Sequence, residues 1–152
     1  MANWVFSSST LDNIRIGYER CMWGFWDRDA GTKQRQNWRR FVMTYQRLKP
    51  FDHAIIQMAK TGDLHAFGVI KGSYFDDQTP VWPEEIRQGK VLFPWKVSFS
   101  LILFSEGAIM KRFIKGGDYI DGYGLGEARP QDTGDLIAAI ENRTSLKIKG
   151  EI

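Results

Sequence analysis

A single cysteine, Cys21, occurs in 152 residues. One thiol excludes a disulfide framework and a cysteine-cluster zinc site, and it suits a reducing, cytoplasmic compartment. Histidine is almost as scarce. His53 and His65 have no cysteine near them and read as structural groups, not metal ligands. No stretch reaches the ~18–20 apolar residues of a membrane span. The longest apolar run, Val97 to Phe104, is broken by serines and reads as a buried strand. The opening MANWVFSSST lacks the basic start and long apolar run of a signal peptide.

Enzyme signatures are missing too. There is no G-x-x-x-x-G-K-[ST] phosphate loop. Gly122-x-Gly124-x-Gly126 has the wrong spacing for a dinucleotide fingerprint and no βαβ unit around it, so Gly116 to Gly126 reads as a loop. Cys21, beside Met22 and Trp23, has no histidine base in reach and reads as a packed thiol. Asp76-Asp77 and Glu84-Glu85 read as solvated loop acids. The chain is expected to be a binding domain, not an enzyme, with no cofactor and no metal.

What is present is an unusual supply of rings. Aromatic residues make up 14% of the chain, including six tryptophans. Such flat side chains are kept for packing or stacking, so the question is which of them lie outside the core. The length and a hydrophobic fraction of 43% fit one domain that buries its own core. Net charge is +3, from 21 Lys+Arg and 18 Asp+Glu. Two basic groups, Lys33-Arg35-Arg39-Arg40 and Lys111-Arg112-Lys115, suit either a phosphate backbone or a solvated face.

The pattern predicts a strand at Asn3 to Phe6 and then a helix from Leu11 to Arg20, capped by Ser9 or Thr10. Gln34 to Leu48 carries Trp38, Phe41, Val42 and Tyr45 on one helical face. His53 to Ala59 and Leu64 to Ser73 form a hairpin, followed by a long loop from Tyr74 to Gly89. Leu92 to Phe104 is a strand, Met110 to Phe113 a helical turn, and Gly134 to Asn142 a last helix capped by Asp132 or Thr133. The expected class is α+β, a curled and mostly antiparallel sheet or small barrel with helices packed around it. The domain is expected to span residues 1–143, with 144–152 a linker to a further domain.

Trp38, Trp95 and Trp4 fall at inward positions of a helix or strand. Trp23 and Trp82 sit beside glycine and between prolines, at element ends. Each reads either as an exposed stacking face or as a ring that closes local packing. Trp26 reads as pocket rim or core, and Asn13 as a base reader or a solvent-facing helix residue.

Three segments in order, Phe6-Ser7-Ser8-Ser9, Asp12-Asn13-Ile14 and Cys21-Met22-Trp23, resemble the opening of YTH domains. There an Asn on the first helix precedes a cage Trp by the spacing of Asn13 and Trp23. Ala54 to Met58 resembles the central strand, and His65-Ala66-Phe67-Gly68-Val69 the next. Val81-Trp82 falls where the second cage Trp sits, Phe93 to Val97 follows, and Arg129-Pro130-Gln131-Asp132 parallels a terminal element. The related EVE domains of the PUA-like superfamily share this skeleton, and the likeness runs from Trp4 to about Glu141. Ser7 replaces a frequent Lys, Gly24 replaces Ser or Cys, and Ile86 or Leu92 is left as the third cage wall.

The resemblance implies a reader that flips a methylated base into an aromatic cage of Trp23, Trp82, Asn13, Ser8, Ser9, Gly24 and Trp26. Arg129, Arg35, Arg39 and Lys33 would hold phosphates. Extrusion of a base costs a few kcal/mol, and stacking returns ~1–3 kcal/mol. N6-methyladenine in DNA is the favoured ligand and 5-methylcytosine the next. The setting would be that of McrB-type restriction GTPases, with a downstream GTPase domain and a nuclease subunit as partners. An RNA N6-methyladenosine reader, a peptide-binding aromatic groove and a small-molecule or enzyme role on the barrel are the alternatives.

Overall fold

The computed structural model describes residues 2–27, 35–111, 119–120 and 123–143. Its elements are β1 (Asn3–Ser8), α1 (Leu11–Arg20), β2 (Met22–Phe25), α2 (Arg35–Tyr45), β3 (His53–Met58), β4 (Leu64–Phe75), α3 (Pro83–Gln88), β5 (Trp95–Phe104), β6 (Tyr119–Ile120), β7 (Leu125–Glu127) and α4 (Pro130–Arg143). The class is α+β. None of its helices is long and apolar enough to cross a membrane, among the described residues.

All seven strands belong to one sheet, in the order β2-β5-β4-β3-β1-β7-β6. The β1–β3 pair is parallel, with Trp4 opposite Ala54, and every other pair is antiparallel. Four strand spacings separate β1 from β2, roughly 19 Å in a flat sheet. Yet Phe6 of β1 and Phe25 of β2 meet edge to face at 4.9 Å. The sheet therefore curls until its ends face each other. Alternation along β1 splits the core: Trp4 and Phe6 join Ile14, Phe41 and Tyr45 inside the curl, while Val5 joins Ile55, Phe67 and Leu136 under α4.

Local chemistry explains the boundaries. Thr10 caps α1 by accepting from the Asn13 N–H at 3.2 Å, so Ser7 and Ser8 stay in the strand. Cys21 closes the helix in the left-handed region, φ 54, donating to the Gly17 and Tyr18 carbonyls. Its side chain is exposed, not packed as expected, because the left-handed cap turns it outward. The stretch after it is a strand pairing Trp23 with Val97 and Gly24 with Lys96.

The expected loop from Tyr74 to Gly89 contains α3. Pro83 stands in its first turn and Gly89 ends it at φ 66. The glycine-rich segment is not all loop, since β6 and β7 pair there. Met110 makes a bridge to Leu64, and Arg112 and Phe113 of the expected helical turn lie outside the described residues. The last helix starts at Pro130, before Asp132 and Thr133, because proline at a first helical position needs no N–H partner. The histidines are buried in the hairpin arms, His53 Nδ1 at 3.1 Å from Asn3 Oδ1 and His65 Nδ1 at 3.0 Å from the Ser105 carbonyl.

Candidate functional site

A cavity of about 380 Å³ opens where the end of β1, the start of α1 and the free edge of β2 converge. Ser8, Ser9, Asn13, Trp23, Gly24 and Trp26 all line it. Trp23 is fixed from behind by α1. A Cβ on Gly17 would lie 3.0 Å from the Trp23 ring, so only glycine lets helix and indole come this close.

β2 is a terminal strand of the sheet, and its outer edge pairs with no strand among the described residues. Phe99 donates to the Cys21 carbonyl at 2.9 Å, which sets the phase of the ladder. Trp23 and Phe25 then exchange main-chain bonds with β5, and Met22 and Gly24 alternate to the other side. The Asp76 N–H bond to the Pro94 carbonyl, 2.9 Å, fixes the same phase from β4. Gly24, at the cavity wall, thus turns its N–H and C=O outward from the sheet. Of the serines, Ser8 is committed: its Oγ donates to the Thr10 carbonyl at 2.7 Å and accepts the Thr10 N–H at 3.2 Å. Ser9 is exposed. Asn13 is half-buried, and its side-chain amide has no hydrogen-bond partner among the described residues.

Trp82 stands one layer behind the cavity and is not part of its lining. Its ring is 2% exposed and meets Trp23 edge to face at 5.8 Å, which leaves no slot for a base between the two indoles. Its Nε1–H donates to the Asn13 carbonyl at 3.1 Å. Lys96 Nζ sits 4.8 Å over the ring and, among the described residues, has no hydrogen-bond partner. Burial pushes the Lys96 ammonium below the usual lysine range, and the nearby Glu85 and Asp76 carboxylates pull it partly back.

The aromatic wall the sequence reading missed is Phe93. It lines the cavity, packs edge to face on Trp26 at 4.7 Å and on Trp82 at 5.5 Å, and fills the space a Gly24 side chain would need. Tyr123 lines the far side and stacks on Phe41 of α2 at 4.8 Å. Ile86 is 63% exposed, and neither it nor Leu92 reaches the cavity. Glu85 is a fully buried acid, not a solvated one. Its Oε1 accepts the N–H groups of Val81 and Trp82 at 2.9 and 3.1 Å, and its Oε2 those of Leu92 and Phe93 at 2.8 and 3.1 Å. One carboxylate thereby ties both ends of the segment that carries Trp82 and Phe93.

Neither Arg39 nor Arg129 lines the cavity. Arg39 lies exposed on α2. Arg129 is exposed before α4 and has interactions of its own. Lys33, the Arg35 side chain and the expected linker 144–152 lie outside the described residues. Trp4 is fully buried, whereas Trp38 and Trp95 are half-buried rings packed on the core.

An uncharacterized protein of Methanocaldococcus jannaschii, MJ1369, is 55% identical over 146 residues, covering 96% of this chain and 94% of that one. The chain belongs to the MJ1369 family. No protein-family profile matches it. Among solved structures, the Pho92 YTH domain in complex with m6A superposes with a TM-score of 0.54 at 16% identity, covering 95% of this chain and 85% of that one. The fold of the MJ1369 family member described above is therefore similar to that of YTH domains. The YTH domain of Zygosaccharomyces rouxii MRB1, in complex with N6-methyladenosine RNA, gives a TM-score of 0.44 at 13% identity, over 99% of this chain and 88% of that one.

Proposed function

We propose that this chain is a non-enzymatic reader that takes a flipped, methylated base, N6-methyladenine before 5-methylcytosine, into the cavity beside Trp23. The observation that supports this most is the convergence of Ser8, Ser9, Asn13, Trp23, Gly24 and Trp26 on one cavity. Its size lies within the ~300–1,000 Å³ of small-ligand sites. Trp23, Trp26 and Phe93 supply apolar walls. The outward C=O of Gly24 suits the single N–H that a methylated exocyclic amine retains, and the Asn13 amide suits a ring-nitrogen edge. The buried methyl adds ~0.8 kcal/mol. Trp82 acts in this reading as the support that holds Trp23 and Phe93, not as an opposing face.

The likeness to a YTH domain bound to m6A agrees with this base. Methylated DNA, as the targeting element of an McrB-type restriction assembly, is the narrower form of the proposal, and an RNA reader is its alternative. The test is a binding panel of single- and double-stranded DNA and RNA carrying N6-methyladenine, 5-methylcytosine or no modification. The parent should prefer one methylated base at least tenfold. Asn13→Ala should lose most of that preference with a stability change under about 0.5 kcal/mol, since its side chain makes no protein contact that folding needs. Equal binding of methylated and plain oligonucleotides by the parent refutes the proposal.

A further inference from the structure

The positive charge of this protein is segregated. Between Asp29 and Asp52 the sequence has no acid and six cations: Lys33, Arg35, Arg39, Arg40, Arg47 and Lys49. The other fifteen Lys and Arg residues face all 18 acids, so the rest of the chain is net acidic. The whole surplus therefore rides on one segment, and α2 is its core.

Helical geometry sorts that segment into two faces. Phe41 and Tyr45 point into the core at 0% and 6% exposure. Arg39, Arg40, Met43, Thr44 and Arg47 line a shallow outward trough of about 440 Å³ that contains no acid. Among the described residues Arg39 and Arg40 make no ion pair, and Arg47 makes one, at 3.5 Å to Glu127. Arg47 is also held 5.3 Å over the Trp4 ring, which orders its guanidinium on the surface. Met43, 69% exposed between the arginines, adds an apolar contact of the kind a sugar or base accepts. Arg47 lies two residues beyond the end of α2, in a turn that continues it through the Gln46 N–H bond to the Val42 carbonyl and the Arg47 N–H bond to the Thr44 carbonyl, both 3.0 Å, so it lines the same trough as Arg40.

We infer that the outward face of α2 and the turn after it, through Arg39, Arg40 and Arg47, is a phosphodiester track that carries the nucleic-acid backbone flanking the bound base. This rests on the proposed base-reading function for its polymer. The two sites are joined through α2, whose outward face lines the trough and whose inner Phe41 stacks on Tyr123 of the cavity wall. A strand seated in the cavity is thereby brought past the helix. The contact is with phosphates, so it reads neither sequence nor methylation.

The test is anisotropy with unmodified and N6-methyladenine single-stranded oligonucleotides across a salt series, for the parent, Arg39→Gln/Arg40→Gln and Arg40→Gln/Arg47→Gln. Each guanidinium removed should lower the slope of log K against log salt by about 0.7. Each double variant should then bind both oligonucleotides roughly 20-fold more weakly at 0.1 M salt, keeping the parent's methyl preference and melting temperature. Unchanged slopes in both double variants, or a parent that binds neither oligonucleotide, overturn the track. A parent that shows the slopes without any methyl preference keeps the track and removes the base-reading proposal.

Discussion

Replacing Glu85 with glutamine tests the architecture of the cavity most severely. The Glu85 carboxylate is fully buried and accepts four main-chain N–H groups. Glutamine keeps the shape but has one acceptor oxygen and an NH₂. Whichever way the amide turns, two N–H groups then face donors, those of Val81 and Trp82 or those of Leu92 and Phe93. Hydrogen bonds to a charged group contribute about 1.5–3 kcal/mol each, so losing two should destabilise the fold by roughly 3–6 kcal/mol. Lys96 also loses the Glu85 charge that favours its ammonium form, which pushes the value towards the upper end. That is a large part of the ~5–15 kcal/mol typical of a domain, and it should lower Tm by on the order of 10 °C. Urea unfolding followed by tryptophan fluorescence reads it as a lower midpoint at unchanged slope. A loss of less than about 1 kcal/mol for Glu85→Gln would show that this carboxylate does not hold the Trp82–Phe93 segment.

Three further outcomes are specific. Gly24→Ala should cost about 1–3 kcal/mol by overpacking, because its Cβ would lie 2.8 Å from the Phe93 carbonyl and 2.9 Å from the Trp82 ring; thermal melts check this, and unchanged stability means that Phe93 moves freely. Thr10→Ala should cost about 1 kcal/mol through loss of the α1 cap, with Thr10→Ser recovering most of it. Tyr45, whose hydroxyl donates to the Lys96 carbonyl at 2.6 Å, is pushed by burial up to about 12. The unfolded chain ionises near 10, so this contribution is complete below pH 10 and is lost as pH rises towards 12, on the order of 2 kcal/mol. Tyr45→Phe should flatten that alkaline limb in denaturation curves.

The sequence was most informative where one periodicity ran uninterrupted. Leu11 to Arg20, with a hydroxyl ahead of it and Ile14 buried, forms the predicted helix, and the paired β3 and β4 are the predicted hairpin. It was least informative where a tertiary partner decides the conformation. Gly24 makes Met22 to Phe25 a poor strand by propensity, and only pairing with β5 makes it one. Glu85 reads as a surface acid because nothing nearby in sequence announces the four N–H groups it meets. The grouping of Asn13, Trp23, Gly24 and the serines in one cavity followed from chain order and family likeness. Phe93 did not stand out, since a ring beside Pro94 looks like a strand entry until the fold brings it over Gly24. The flanking prolines set Trp82 apart from the core rings in the sequence, yet it is a buried member of the core, at a depth that depends on Lys96 and the Asn13 carbonyl.

The position of β1 has a consequence for how this molecule is made. It precedes every other described element in the chain, yet it lies inside the sheet, with Trp4 opposite Ala54 on one side and Glu127 on the other. A parallel neighbour cannot be reached by a tight turn, so β1 waits for β3, and its second flank waits for nearly the whole remaining chain. Until Leu125 to Glu127 arrive, its edge and the Trp4–Phe6 stripe have no permanent cover on that side. The nascent domain must therefore hold Trp4, Val5 and Phe6 uncommitted while the segment between β1 and β7 is made, and closure of the sheet is coupled to the arrival of β7.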